Sequence, residues 1–193
     1  MKKYELTRET KVINGVELHR IKALESFGNI KKGELGGWIE SEKNLSQYGD
    51  AWVYKHAKVF DNATVGGDAT VRVYATVYGK AKVFENATVS GDATVRGNAT
   101  VRGNAWVGEN ATVGENADYI VFKNWWSSGR YFTWTRSNNK WRVGCFYGSG
   151  EELIARAYKD SEKSGREYER VVKYVNDILK EEEDNGNRNK REG

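Results

Sequence analysis

The sequence predicts a mainly β protein in which a triangular parallel β-helix lies between an N-terminal β cap and a small C-terminal α+β domain. Three observations lead to this fold class: a six-residue repeat in the middle of the chain, the loss of that repeat towards both ends, and a composition rich in turn-forming residues. The 193 residues include 21 glycines and no proline. The turns must therefore use Gly, Asn and Asp, which tolerate positive φ angles.

The repeat consists of alanine at every sixth position from Ala51 to Ala117, in twelve copies, with valine two residues later in eleven of them. Because side chains alternate between the faces of a strand, alanine and valine face a core, and the residue between them, threonine in seven copies, faces outward. Asn or Asp precedes the alanine in nine copies, and Gly stands one position earlier in six, which is the chemistry of a corner. An Ala–Val core is narrow, so we expect three hexapeptides per turn and coils of 18 residues.

The hexapeptide at residues 65–70 (VGGDAT) resembles the repeat of left-handed parallel β-helices, and the resemblance covers about residues 45–119. That family includes trimeric acyltransferases, carbonic-anhydrase-like enzymes and non-enzymatic structural proteins. The resemblance therefore implies a left-handed parallel β-helix of nearly four coils. It does not imply a function, because one fold supports many functions.

Residues 1–44 do not follow the repeat and are predicted to form the β cap that a solenoid needs over its open end. Residues 12–18 (VINGVEL) read as a β-hairpin with Asn14 and Gly15 in the turn. Ile39 and Leu45 already stand in the alanine phase, so we expect the chain to enter the prism there.

Residues 119–147 form a basic aromatic segment with ten aromatic residues, five cations and no acid. Residues 131–135 and 140–143 favour strands, and the polar residues 137–139 between them favour a hairpin turn. This segment opens the predicted C-terminal α+β domain, which we place at residues 120–181.

Two helices complete that domain. Ser149 followed by Glu152 is a capping box, which predicts a helix as far as about Asp160. A second helix is predicted over about residues 164–181, where the apolar residues lie on one stripe. Residues 182–193 are charged and without periodicity, so we expect a disordered tail.

Two segments that flank the repeats, residues 32–40 (KGELGGWIE) and 143–152 (VGCFYGSGEE), resemble uncharacterised phage and prophage proteins. In that group a hexapeptide prism is framed by a similar head and a β-then-helix tail. The resemblance implies a viral accessory protein that works in the cytoplasm of an infected bacterium. No apolar run reaches the ~18 residues of a membrane span, and no apolar signal segment follows the first lysines.

The sequence offers little material for catalysis. One cysteine, Cys145, and two histidines, His19 and His56, cannot build a cysteine zinc site or a three-histidine zinc site. Acyltransferases of this fold use a histidine as general base, but His56 stands in the corner slot before Ala57, where His is tolerated at positive φ. Cys145 is expected to be a buried, inert thiol. We therefore expect no catalytic residues, metal or cofactor, with an acyltransferase that uses His56 as the alternative.

Aromatic residues on the outside of the prism suggest that the chain associates with itself. Tyr54, Phe60, Tyr78 and Phe84 occupy outward positions around a core that is too narrow to hide them. Exposed aromatic residues of this kind usually lie under another subunit. We therefore expect a closed homotrimer.

The basic aromatic segment is the strongest functional signal, and the net charge of +4 suits an anionic partner. Aromatic faces stack on bases, and arginine pairs with phosphate. The candidate ligand-binding residues are Trp125, Trp126, Arg130, Tyr131, Trp134, Arg136, Trp141 and Arg142.

The function predicted from these features is that of a non-enzymatic phage protein that inhibits or sequesters a component of the host's antiviral defence. Two targets remain open, a nucleotide-like signal and an immune protein that handles nucleic acid. A structural or assembly role in the virion is a further alternative.

Overall fold

The structure is a computed structural model that describes residues 2–189, with side chains described as far as residue 185. It confirms the predicted fold class: an antiparallel cap, a parallel β-helix of about four turns, and a C-terminal antiparallel sheet with two helices. Within the described residues, no helix is both long enough and apolar enough to span a membrane.

The cap is a three-stranded antiparallel sheet of β1 (Tyr4–Ile13), β2 (Val16–Ala23) and β3 (Leu35–Ile39). The predicted hairpin is present, because Ile13 pairs with Val16 across a two-residue turn. Asn14 and Gly15 both have positive φ, at 52° and 81°, as the tight hairpin turn requires.

The β-helix consists of eleven two-residue strands, β4 to β14, which each repeat supplies in turn. They are Trp52–Val53, Lys58–Val59, Thr64–Val65, Thr70–Val71, Thr76–Val77, Lys82–Val83, Thr88–Val89, Thr94–Val95, Thr100–Val101, Trp106–Val107 and Thr112–Val113. Each strand from β4 to β11 pairs in parallel with the strand 18 residues later, for example Thr70 with Thr88. This pairing produces three sheets, in the orders β4-β7-β10-β13, β6-β9-β12 and β3-β5-β8-β11-β14, and the last of these continues into the cap.

The repeated alanines from Ala51 to Ala111 and the valines from Val53 to Val113 form one continuous core inside the prism and are almost completely buried. The expectation that the alanine of the twelfth copy also faces the core is wrong, because Ala117 lies in a 3₁₀ helix and is exposed. The corners between strands are tight. Gly67 has a φ of +64°, and a Cβ placed there would lie 2.8 Å from the backbone nitrogen of Glu85 on the next coil. Glycine at this corner therefore allows both the positive φ and the close approach of the next coil.

Most hydrogen bonds between coils run in one direction. The N–H of Thr70 donates to the carbonyl of Ala87, and the N–H of Thr88 donates to the carbonyl of Ala105, both at 2.9 Å. The first coil therefore has mainly free carbonyl groups and the last coil mainly free N–H groups, and both need partners. The carbonyl of Thr100 in the last coil also needs a donor, which is the hydroxyl of Tyr119 at 2.8 Å.

Donors from the N-terminal segment bind the carbonyls of the first coil. The Lys3 ammonium donates to the carbonyls of Gly49 (3.0 Å) and Ala51 (2.9 Å), and Nδ2 of Asn44 donates to the carbonyl of Ala63 (2.9 Å). Asn44 ends a short 3₁₀ helix, Glu42–Asn44, that connects the cap to the first coil.

Acceptors from the C-terminal segment bind the N–H groups of the last coil. The pairs are Thr100 N–H to Asn116 Oδ1 (2.7 Å), Trp106 N–H to Thr133 Oγ1 (2.9 Å), Thr112 N–H to Ser137 Oγ (2.7 Å) and Gly114 N–H to Asp118 Oδ2 (2.7 Å). A second 3₁₀ helix, Asn116–Asp118, supplies two of these acceptors.

The predicted phase of the entry into the prism is wrong. Ile39 pairs with Val59, and Leu45 forms a bridge with Val65, so both occupy the valine position rather than the alanine position. The physical reason is a longer first turn: Leu45 and Val53 are eight residues apart (53 − 45), two more than one repeat.

The expected exposure of the prism aromatics is also wrong. Phe60 is 5% exposed, and Tyr54, Tyr78 and Phe84 are half-buried. They cover one another between coils: the rings of Phe60 and Tyr78 are stacked at 5.3 Å with an interplanar angle of 5°. The prism aromatics therefore no longer support the homotrimer, which stays a prediction.

Sedimentation equilibrium would test the homotrimer. We expect a mass of three times 21.9 kDa.

The C-terminal domain contains an antiparallel sheet of β15 (Tyr119–Lys123), β16 (Tyr131–Thr135), β17 (Lys140–Val143) and β18 (Phe146–Gly148), in chain order. The helices α1 (Gly150–Asp160) and α2 (Glu162–Asn189) follow. The capping box is confirmed, because Glu152 N–H donates to Ser149 Oγ at 3.2 Å and Ser149 N–H donates to Glu152 Oε2 at 2.7 Å.

The prediction of a disordered tail from residue 182 is wrong as far as Asn189, because α2 continues to that residue. Glu182 lies on the added turn and accepts two hydrogen bonds from Arg136, at 2.6 and 3.3 Å. The added turn is thus bound to the residue that follows β16. The sequence pattern of the helix does not reveal this contact. Residues 190–193 of the predicted tail lie outside the described residues.

Replacing Lys3 by methionine tests its role at the end of the prism. Lys3 is only 2% exposed, and burial lowers its pKa from 10.5 to about 8, although Asp50, Asp68 and Glu25 act in the opposite direction. Between pH 8 and 10.5 the unfolded chain binds more protons than the folded chain, so the free energy of unfolding rises with pH. Relative to Lys3→Met, the wild type should gain up to roughly 3 kcal/mol over this range, measured by urea unfolding.

The exposed Lys22 of β2 provides the control, since Lys22→Met should keep the pH dependence of the wild type. Identical pH dependence in Lys3→Met and the wild type would contradict the assigned role of Lys3.

Candidate anion-binding site in the C-terminal domain

The sheet of the C-terminal domain is a middle layer, buried on both faces. Along β16, Thr133 and Thr135 are buried on the side that meets the β-helix, where Thr133 binds the N–H of Trp106. Phe132 and Trp134 alternate with them and belong to the core that the two helices cover.

Three of the residues predicted to bind a ligand lie in this core. Trp134 and Trp141 are each 1% exposed and pair across β16 and β17. Trp126 packs edge-on against Tyr168 of α2 at 5.1 Å. The prediction is therefore wrong for Trp134 and Trp141 as surface groups, because the helices bury more aromatic surface than a hairpin alone could bury.

Two predicted arginines have acidic partners from outside the basic aromatic segment. Arg136 binds Glu182 of α2. Arg142 lies 3.6 Å from Glu109 of the β-helix, and its guanidinium group lies 4.2 Å from the ring centroid of Trp106. Both arginines thus join the sheet to neighbouring parts of the fold, which an inventory of acids inside the segment could not reveal.

The remaining three predicted residues, Trp125, Arg130 and Tyr131, are exposed, and Trp125 is 74% exposed. The eight predicted residues therefore do not form one cleft. Of these eight, only Arg130 lines the cavity described next.

A cavity of about 440 Å³ lies between the sheet and α1. Val143, Leu153 and Ala157 supply apolar wall, whereas Arg130 and Arg156 supply positive charge. Such a mixture of apolar wall and few polar groups is typical of small-molecule sites.

The spacing of α1 explains how its residues reach the cavity together. Leu153, Arg156 and Asp160 are separated by three and four residues and so lie on one face of the helix. All three line the cavity. Sequence reasoning missed Arg156 and Asp160, although this helical spacing was the signal that could have found them.

A hydrogen-bond network holds the backbone of Arg130 in place. Asn124 is buried, its N–H donates to the carbonyl of Arg130 at 2.7 Å, and its Oδ1 accepts from the N–H of Ser127 at 2.9 Å. The Nδ2 group of Asn124 also donates to the hydroxyl of Tyr168 at 3.2 Å. These bonds close the loop between β15 and β16 at its base, so Arg130 is presented from a fixed position.

Charge in the cavity is mainly positive. Among the side chains that the structure describes, neither Arg130 nor Arg156 has a carboxylate within salt-bridge distance. Burial raises the pKa of the Tyr168 hydroxyl, against the opposing effects of Asn124 and Arg130. The hydroxyl is thus neutral near pH 7 and keeps a proton to donate, while Asp160 is the acid on the lining.

Cys145 also lines this cavity, and its predicted burial is wrong. Val143 pairs with Phe146, so Cys145 lies in the two-residue turn between β17 and β18, after Gly144 with a φ of 56°. A turn residue at this position is exposed, whereas a strand residue would alternate into the core.

His56 lies at an exposed corner between β4 and β5, and its ring stacks on Tyr74 at 5.2 Å. The corner positions with positive φ stand two residues before the alanine, as at Asp61 and Val73. The expectation that His56 itself has positive φ is therefore wrong. His19 is half-buried in β2, and the described residues contain no group of three or more potential metal-ligating side chains.

Comparison with known proteins gives one similarity. No protein-family model matches the chain. The chain is 31% identical over 93 residues to an uncharacterized acetyltransferase, YdcK, of Escherichia coli K12, which covers 39% of this chain and 28% of that protein. The similarity and the four-turn β-helix agree with the resemblance to hexapeptide-repeat proteins.

Proposed function

We propose that the chain is a non-enzymatic binding protein whose C-terminal cavity takes up a small anionic ligand. The observation that carries the proposal is that Arg130 and Arg156 line one cavity while neither is neutralised by a carboxylate among the described side chains. Arginine binds phosphate and carboxylate groups with two parallel hydrogen bonds. The cavity volume of about 440 Å³ falls within the range of small-molecule sites.

The remaining lining narrows the class of ligand. Phe146 and Leu153 provide apolar surface for a ring, and the buried Tyr168 can donate a hydrogen bond. Asp160 can accept hydrogen bonds from amino groups. A nucleotide-like molecule combines a phosphate, a flat ring and such donors.

The biological setting of the proposal is an infected bacterium. The resemblance of residues 32–40 and 143–152 to phage and prophage proteins supports this setting. In that cytoplasm, a protein that binds without turning over its ligand would sequester a nucleotide-like signal of the host's antiviral defence.

Alanine substitutions of the two arginines test the binding site. A charge-assisted hydrogen bond contributes roughly 1.5–3 kcal/mol, so Arg130→Ala or Arg156→Ala should weaken the binding of adenine mono- and dinucleotides about tenfold or more. Isothermal titration calorimetry would measure these affinities. Arg96→Ala serves as the control because Arg96 belongs to the β-helix and does not line the cavity. Equal affinity in all four proteins, or no binding by the wild type, would contradict the proposal.

The second candidate is an acetyltransferase, which the name of the E. coli relative favours. In that case His56 would act as the general base. Under our proposal, release of coenzyme A from acetyl-coenzyme A should not exceed the rate in buffer. His56→Asn should keep both the fold and ligand binding, because Asn is common at this corner position. Turnover by the wild type that is lost in a folded His56→Asn variant would instead establish the enzyme.

A further inference from the structure

A cluster of cations surrounds the ring of Trp38 where the cap continues into the β-helix. The ammonium of Lys11 lies 4.1 Å from the ring centroid, and the guanidinium of Arg20 lies 5.5 Å from it. Lys58 pairs directly with Trp38 across the parallel strands β3 and β5. Two positive charges from β1 and β2 therefore lie over one indole, and Lys58 of β5 is the neighbour of that tryptophan in the strand register.

The acids of this region are already engaged. Glu9 binds Arg20 through both carboxylate oxygens, at 3.1 and 3.3 Å. Glu40 accepts a hydrogen bond of 2.6 Å from the N–H of Asp61 at the next corner. Among the described side chains, Lys11 and Lys58 have no carboxylate within salt-bridge distance.

The crowding has a measurable electrostatic consequence. Burial lowers the pKa of Lys11 to about 8, with further lowering by Lys58 and Arg20 and an opposing effect of Glu9. Both lysines are only half-exposed, so water screens their repulsion less than at an open surface. An anion placed between them would remove this unfavourable interaction.

We propose that Lys11, Lys58 and Trp38 form a second anion site, which takes a small ligand through a phosphate or diphosphate group. The two ammonium groups act as point charges for the oxyanion, as lysine does at phosphate sites. The indole fixes the position of Lys11 through the cation–π contact. Arg20 is occupied by Glu9 and by the carbonyl of Gly36 (3.3 Å), so it sets the local potential rather than contacting the ligand.

Binding of inorganic pyrophosphate tests this site. The measurement is isothermal titration calorimetry at pH 7 in an Arg130→Ala/Arg156→Ala background, so that the C-terminal cavity cannot contribute. Lys11→Gln or Lys58→Gln should weaken pyrophosphate binding at least tenfold. Lys82→Gln should not, because Lys82 occupies the same outward position on a different sheet. AMP at the same concentrations shows whether a phosphate monoester on a nucleoside is also accepted.

The pH dependence of pyrophosphate binding provides a second measurement. A merely structural role of Lys11 would not change it. Burial lowers the pKa of Lys11 to about 8, so Lys11 loses its charge between pH 7 and pH 9.5. Pyrophosphate gains negative charge over the same range, so Lys11→Arg, which keeps its own charge, serves as the reference. The affinity of the wild type should fall relative to that of Lys11→Arg as the pH rises from 7 to 9.5. In the absence of anions, Lys11→Gln and Lys58→Gln should be no less stable to heat than the wild type, because they relieve repulsion.

Two outcomes would overturn the proposal. One is a heat of binding no larger than that of sodium chloride at matched ionic strength. The other is an equal loss of affinity in Lys82→Gln. Neither outcome bears on the C-terminal cavity, because that site is disabled in the background used.

Discussion

The prevailing direction of the hydrogen bonds between coils determines what each end of the β-helix requires. Most of the N–H groups that bond between coils donate to the next coil, so mainly carbonyls remain free on the first coil and mainly N–H groups on the last. An unpaired buried backbone group costs about 1–3 kcal/mol, so the two ends need opposite chemistry. Lys3 and Asn44 donate at the first end, and Thr133 and Ser137 accept at the other. The cap and the C-terminal domain are therefore not interchangeable.

The same constraint positions the candidate site. Because Thr133 must face the last coil, its neighbours Phe132 and Trp134 must face the helices. The helices then form the far wall of the domain, and α1 brings Arg156 opposite the loop that carries Arg130. The N–H group of Trp106 in the last coil needs Thr133 as its acceptor. Because side chains alternate along β16, this need also decides on which side of the sheet the cavity forms.

The sequence predicts most of the fold because the repeat, the Asn14–Gly15 turn and the capping box at Ser149 are local signals. Most of the candidate site cannot be predicted from the sequence, because burial and charge pairing depend on contacts between residues that are distant along the chain. Arg136 meets Glu182 across 46 positions, and no local pattern announces that pair. Composition correctly identified a region rich in cations and rings. It could not distinguish rings in a core from rings that line a cavity.

The capped ends also affect how molecules meet one another. A β-helix with bare ends would present mainly donors at one end and mainly acceptors at the other, so the top of one molecule would match the bottom of the next. Such a head-to-tail contact does not close on itself and grows into a filament. Lys3 and Asn44 occupy carbonyls of the first coil, so a second molecule cannot bond to those carbonyls. The cap thereby opposes the growth of a filament, a hazard of open sheet edges.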